Sequence, residues 1–472
     1  MSNSDSLDNI SNSDDFSYQK EIIPTLMKQL FPICRSITGS GVRKSLNILK
    51  EISDFKIFEI PSGTKCFDWK IPNEWNIRDA FIEDSKGNKI IDFQKNNLHV
   101  VNYSIPIDET LTFTKLKKHL HTLPDIPDAI PYRTSYYKRE WGFCLEQNKF
   151  EKMDHNTEYH VVINSSLSKG SMTLGEYLIK GKSKNEFIFS AYCCHPSMAN
   201  DNLSGMILWI LLLVYLKSKN TKYSYRFLIM PETIGTIAYL SKNQYTMSNV
   251  IGGFVLTCVG GPGELSYKST FLETHPIDKI VIDTLDDNNI KFKKFPFVPR
   301  GSDERQFSSP GFRIPIGLIC KDKFHEYENY HTSLDNLEFI SESSILSIFS
   351  LYVKIIDALE QSNDLIFHKD NKKIKNKKTN FPIFKSLNPN CEPMLSKRNL
   401  YPTIGGTLKQ SMSKDELVSN NKINLDLLLN ILFYSDGNTS VEYISLKSRI
   451  SEDEIFIYSK YLVKLKLLEE NV

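Results

Sequence analysis

Hydrophobic and polar positions along this chain alternate between two periods. Residues 187–192, Phe-Ile-Phe-Ser-Ala-Tyr, form an apolar run of strand length that stops at His195. A short polar run follows, Asn200-Asp201-Asn202-Leu203-Ser204-Gly205, and then the apolar stretch 206–216. That stretch is too long and too apolar for a surface strand. The order predicts strand, polar turn, buried helix. Downstream, apolar strands at 225–230, 254–258 and 314–319 alternate with helical patterns at 235–241, 275–288 and 341–359. This is the pattern of a mostly parallel mixed sheet with helices on both faces. Upstream, helical spacing at 18–31 and 42–52 leads into a strand at 55–60.

Between 61 and 155 the pattern changes to short alternating strands and a loop rich in proline and aromatics, 123–137. We read a small β-rich module inserted into the larger domain. Strands at 159–164 and 175–179 are expected to return the chain to the main sheet. From 423 onward, helices at 425–434, 441–448 and 453–464 end in an apolar tail, the pattern of a winged helix. The expected organisation is a disordered Ser/Asn/Asp-rich start at 1–15 and a main domain at 16–60 and 156–369. The insert occupies 61–155, a linker 370–422 and the winged helix 423–472. The basic run 371–379 reads as a solvated tether.

With 472 residues the chain can hold two or three domains. A net charge of +2 gives no reason to expect a polyanion or membrane partner for the chain as a whole. The last helix begins with acids and carries few groups suited to base edges, so nucleic acid is not an expected partner. Eight scattered cysteines without a CxxC spacing argue against a disulfide framework or a structural zinc knot. The first residues lack a basic segment followed by an apolar one, so no signal peptide is expected, and the apolar run from Met206 is about half of a membrane span. The expected compartment is the cytoplasm. Exposed strand edges on the insert leave a homo-oligomer open.

Candidate chemistry gathers where strands end, the edge at which open α/β sheets bind ligands. His195 and Asp201 follow the first core strand and Glu232 the next. Gly260-Gly261-Pro262-Gly263 follows the third, and His325 to Asp335 follows the last, with Arg300 to Phe307 before it. Imidazoles and carboxylates in such loops suit metal coordination. A loop histidine with a helix-capping aspartate, and a buried Glu232 paired with Arg300 or Arg305, are the structural alternatives.

Five ordered motifs resemble the zinc aminopeptidases of metallopeptidase family twenty-eight. They are His195, Asp201-Asn202-Leu203-Ser204-Gly205, Glu232-Thr233-Ile234-Gly235, Ser302-Asp303-Glu304-Arg305-Gln306-Phe307 and His331-Thr332-Ser333-Leu334-Asp335. The whole chain looks closer still to bacterial aminopeptidase-like domain proteins, which add a small β module and a C-terminal winged helix. Their genes often lie among genes for surface polysaccharides. The resemblance implies His195, Asp201 and His331 as metal ligands and Glu232 as general base. Thr233 stands where the family has a second glutamate, and Thr257 where it has a later aspartate. Each change removes a ligand from a different metal of the pair, so one zinc ion is expected rather than two. Alternatively, His325, Glu326, Asp303 or Glu304 rebuilds a second site.

Asp303, Glu304, His325, Tyr330, Asp335 and Arg300 are expected to bind substrate or support the ligands, Asp335 by holding the His331 ring. The function implied is a zinc-dependent amide hydrolase acting on a small peptide or an N-acylated amino sugar. An acyl-transfer or cyclase reaction on the same scaffold, and a metal-poor binding protein with a degenerate site, are the other readings.

Overall fold

The structure, a computed structural model, describes residues 16–362, 380–401, 404–406 and 424–471. The sequence readings for 1–15 and 371–379 lie outside the described residues. The main sheet has eight strands: β1 (Lys56–Pro61), β2 (Ser171–Ile179), β3 (Glu186–Tyr192), β4 (Ser224–Met230), β5 (Val250–Leu256), β6 (Ser266–Lys268), β7 (Lys293–Phe295) and β8 (Ile316–Cys320). Their order is β1-β2-β4-β3-β5-β8-β6-β7. The centre, β4-β3-β5-β8, is parallel throughout. Antiparallel pairings join β2 to β4 and β6 to β8 on either side of it.

Every residue of β3 and β4 is buried, as a sheet covered on both faces requires. Alternate side chains of β3 enter different layers. Phe187, Phe189 and Ala191 join one apolar core, and Ile188 and Tyr192 the other. The first layer holds α1 (Ser17–Leu30), α2 (Ser40–Ile52), α3 (Gly205–Lys217), α5 (Pro276–Asp287) and α6 (Glu342–Gln361). The second holds α4 (Ile234–Asn243) and the base of the insert.

Helix α3 is apolar around its whole circumference because it lies inside the first layer. Trp209 packs edge-on against Phe55 at 5.1 Å. Ala199–Lys217 is the one stretch among the described residues long and apolar enough to cross a membrane, and 89% of its apolar window is buried. Its apolarity is used in the core.

The insert builds its own four-stranded antiparallel sheet from Glu74–Glu83, Lys89–Asp92, Ile107–Thr112 and Glu158–Ser168. The strand expected at 159–164 to rejoin the main sheet belongs here instead. It pairs on one side with Glu74–Glu83 and on the other with Ile107–Thr112. The chain re-enters the main sheet only with β2.

The C-terminal helices are α7 (Leu425–Tyr434), α8 (Val441–Ser448) and α9 (Glu452–Lys464). Asn424, Ser440 and Ser451 cap them by accepting from the backbone N–H of Leu427, Tyr443 and Glu454. The final strand Leu468–Asn471 pairs antiparallel with Ile383–Ser386. Part of the stretch expected to be linker therefore contributes a strand to this unit. Phe433 packs on Phe297 at 4.9 Å, and Arg313 pairs with Asp436 at 2.9 Å, fixing the unit to the main domain.

Candidate metal centre

Strand β3 ends at Tyr192, and buried Cys193 and Cys194 carry the chain to His195. Arg35, fully buried, donates from Nε to the His195 carbonyl at 3.0 Å. The next turn is held from three sides. Asp335 accepts from the backbone N–H of Asn200 (2.6 Å) and Asp201 (3.0 Å). Asn200 Oδ1 accepts from the N–H of Gly260 (2.9 Å) and Gly261 (3.1 Å). Asn202 Nδ2 donates to the carbonyls of Tyr192 and Leu256, both at 3.1 Å, and so staples β3 to β5. The Asp201–Asn202 peptide is cis.

This turn delivers Asp201 to His195 and His331, whose ligand atoms all lie within 4.8 Å of one another. His331 Nε2 is 3.0 Å from Asp201 Oδ2, and His195 Nε2 is 4.0 Å from the same oxygen. The His331 backbone has φ +57°, and its ring stacks on Tyr330 at 3.9 Å. The insert completes the wall. Tyr132 N–H donates to the His331 carbonyl (2.9 Å), and its ring sits 5.3 Å from His195 and 5.1 Å from His331.

The donor set fits a metal ion. Asp201 Oδ2 and both ring nitrogens of His331 are buried without a well-formed hydrogen bond among the described residues. Leaving such atoms unsatisfied costs about 1–3 kcal/mol each, and a shared divalent cation removes that cost. Burial, with the neighbouring His331 ring and the Arg35 charge, pushes His195 down to about 4 despite the Asp201 charge, so its imidazole is neutral, the ligating form, at neutral pH. Asp201 Oδ1 is occupied separately. It accepts from the Tyr192 hydroxyl, which also meets Thr257 Oγ1 at 2.6 Å.

Glu232 lies beside the triad, Oε2 at 3.9 Å from His195 Nε2. Ser302 Oγ donates to Oε1 at 2.6 Å. Burial, together with the Asp303 and Asp201 charges, pushes the Glu232 carboxyl well above its usual range. Its side chain is still 26% exposed. The arginine pairing does not form: Arg300 pairs with Asp426 (3.1 Å) and Arg305 with Glu392 (2.8 Å).

The remaining candidates divide by what they touch. Asp303 accepts from the Thr233 N–H at 2.7 Å and sets the turn that carries Glu232. Glu304 is buried against Lys268, each side chain 1% exposed, so its charge is spent there rather than on a substrate. Arg300 is likewise spent on the winged helix. His325 rests edge-on against Tyr330 at 4.7 Å and lies outside the metal-ligand cluster. Asp335 grips the Asn200-Asp201 backbone and not the His331 ring, because the turn's N–H groups point at it. Ser302, Tyr192 and Tyr132 carry roles that sequence did not reveal. Ser302 and Tyr132 stand in stretches whose composition drew attention, but nothing local shows which neighbour they face.

A family model described as a domain of unknown function (DUF4910) matches residues 25–362, and a winged helix-turn-helix model matches 382–470. A Clostridium acetobutylicum protein, provisionally named a polysaccharide biosynthesis protein with aminopeptidase-like domain, is 42% identical over 447 residues. The match covers 95% of this chain and 96% of that one. A crystal structure from the same organism, described provisionally as a peptidase, is 40% identical with a TM-score of 0.71, covering 98% of both chains. A zinc aminopeptidase from Bacillus subtilis shares the fold at 14% identity and a TM-score of 0.54, over 72% of this chain and 94% of that one. A peptidase M28 precursor from Shewanella amazonensis does so at 11% and 0.53, over 76% and 96%. With its sheet and helices matched by one family model and its capped terminal helices by another, the chain belongs to this domain-of-unknown-function family, an M28 aminopeptidase-like fold joined to a C-terminal winged helix.

Proposed function

We propose that the chain is a single-zinc amide hydrolase. Its substrate would be an N-terminal peptide bond or the N-acyl group of an amino sugar, in the assembly of a surface polysaccharide. The observation that carries this reading is the convergence of His195, Asp201 and His331, with the Glu232 carboxylate alongside. Those three residues would hold the zinc. The name of the Clostridium acetobutylicum relative supports the glycan setting. One ion is favoured over two because Asp201 Oδ1 is committed to Tyr192, and the Thr233 hydroxyl faces Arg305 at 3.5 Å.

Zinc, when bound, supplies Lewis acidity toward a water and an amide carbonyl. The chain's own residues handle the proton. Glu232 takes it from the attacking water and returns it to the leaving amine, a task helped by a carboxyl whose affinity for protons is raised. The Ser302 hydroxyl holds one carboxyl oxygen, so the other keeps a fixed aim. Tyr132 and Tyr330 wall the histidines and limit water. The eight free cysteines, seven of them buried, suit the reducing compartment this reading assumes.

The test is turnover of aminoacyl-anilides and N-acyl hexosamines by zinc-loaded protein. Activity on one class should disappear with chelator, return with zinc and be lost in Glu232→Gln. Zinc bound at one equivalent with neither class turned over would overturn the reading.

A further inference from the structure

A cleft of about 660 Å³ lies at the base of the insert, lined also by Met394 and Lys397 from the segment leading to the winged helix. That volume is typical of small-ligand sites, and none of the metal triad lines it. Its floor is the hairpin formed by Lys65–Cys66 and Trp69–Lys70. Lys65 and Lys70 stand directly opposite one another across the two strands. Like charges in that position repel, and among the described residues no carboxylate pairs with either of them or with Lys169 on the rim. The cleft's one acid, Asp68, is already engaged by Lys397 (2.5 Å), Arg398 (2.6 Å) and the Met394 N–H (2.7 Å).

Aromatic surface lies beside this charge. Trp69 is fixed by donating from Nε1 to the Glu392 carbonyl (2.8 Å) and by edge contact with Tyr137 at 5.8 Å. The Tyr137 hydroxyl is buried with no hydrogen-bond partner among the described residues. Phe67 completes the apolar lining.

We propose that this cleft binds an acidic saccharide, a sugar ring bearing a carboxylate or phosphate. The ring's C–H face packs on Trp69. The anion settles between Lys65 and Lys70 and relieves their repulsion. A chain of contacts leads from the site toward the turn that carries Glu232. Glu392, which anchors Trp69, pairs with Arg305, and Arg305 reaches Thr233 beside Glu232. The proposal does not depend on hydrolysis, because its residues are separate from the metal triad.

The test is calorimetric titration of the full chain with oligogalacturonate, UDP-N-acetylglucosamine, neutral maltopentaose and tripolyphosphate. Saturable binding of one or both acidic sugars, and not of maltopentaose, is expected. Preference for oligogalacturonate identifies a polymer segment, and preference for the other a nucleotide sugar. Lys65→Gln/Lys70→Gln and Trp69→Ala should each weaken binding by about tenfold or more, with unchanged circular dichroism. Ligand-induced quenching of tryptophan fluorescence should vanish in Trp69→Phe. His331→Ala should bind as the parent does, which separates this site from the metal centre. No saturation by either acidic sugar, equal binding of maltopentaose, or tripolyphosphate binding as tightly with Trp69→Ala silent would each overturn the proposal.

Discussion

Asp201 divides its two oxygens between different tasks. One is tied to Tyr192, and the other faces two imidazoles. On the proposed zinc site, replacing either imidazole removes a ligand, whereas replacing Asp335 only loosens the turn that presents Asp201. We expect His195→Ala and His331→Ala to weaken zinc binding by more than about a hundredfold, and Asp335→Asn by about ten- to a hundredfold. Competition with a chelating dye measures both. His331→Ala holding zinc as tightly as the parent would dismiss the triad. Glu232→Gln should retain zinc and lose about 10²–10⁴ in turnover. At this scale the resemblance carried by the sequence motifs conveyed which three side chains meet, because each stands in a short motif after a strand. It did not convey direction. Asp335 and Asp303 were both visible as acids, yet which N–H groups they grip depends on strands remote in the chain.

At the scale of elements, the apolar strand-turn-helix unit was legible because burial on all sides leaves an uninterrupted hydrophobic run. The strand Glu158–Ser168 was misplaced for the opposite reason. Alternation says that one face is buried, but not against which sheet. The junction of turn and α3 has little spare room. A Cβ on Gly205 would lie 2.2 Å from Asn202 Oδ1 and 2.3 Å from the Leu256 carbonyl. Gly205→Ala should therefore separate Asn202 from β5. The expected result is lowered zinc affinity alongside a loss of stability of about 1–3 kcal/mol in urea unfolding. The Lys268–Glu304 pair joins β6 to the segment carrying Ser302 and Asp303. Lys268→Met leaves a buried carboxylate without its cation, held only by the Ser302 N–H at 3.0 Å, and should cost about 3–5 kcal/mol in the same measurement.

For the whole molecule, metal and terminal unit should act on stability separately. Zinc at a hundred times its dissociation constant contributes about 2.7 kcal/mol, and its removal by chelator should lower the main thermal transition by about 3–8 °C. Scanning calorimetry with and without zinc checks this. The winged helix is held by the Phe297–Phe433 contact and by ion pairs such as Arg313–Asp436. The Arg300–Asp426 pair is partly exposed on both sides, so Asp426→Asn should shift stability by less than about 1 kcal/mol. The winged helix was legible from its three short helices and the apolar tail that follows them. Its pairing with Ile383–Ser386 was not, because that strand lies far away in sequence.

The loop that carries Tyr132 is threaded through the chain long before the histidine whose carbonyl it clasps. During synthesis the ribosome must therefore release the insert, and later the stretch around His331, before the His195–Asp201–His331 cluster can close. Any product truncated short of that histidine would leave the ribosome with the cluster missing its third corner.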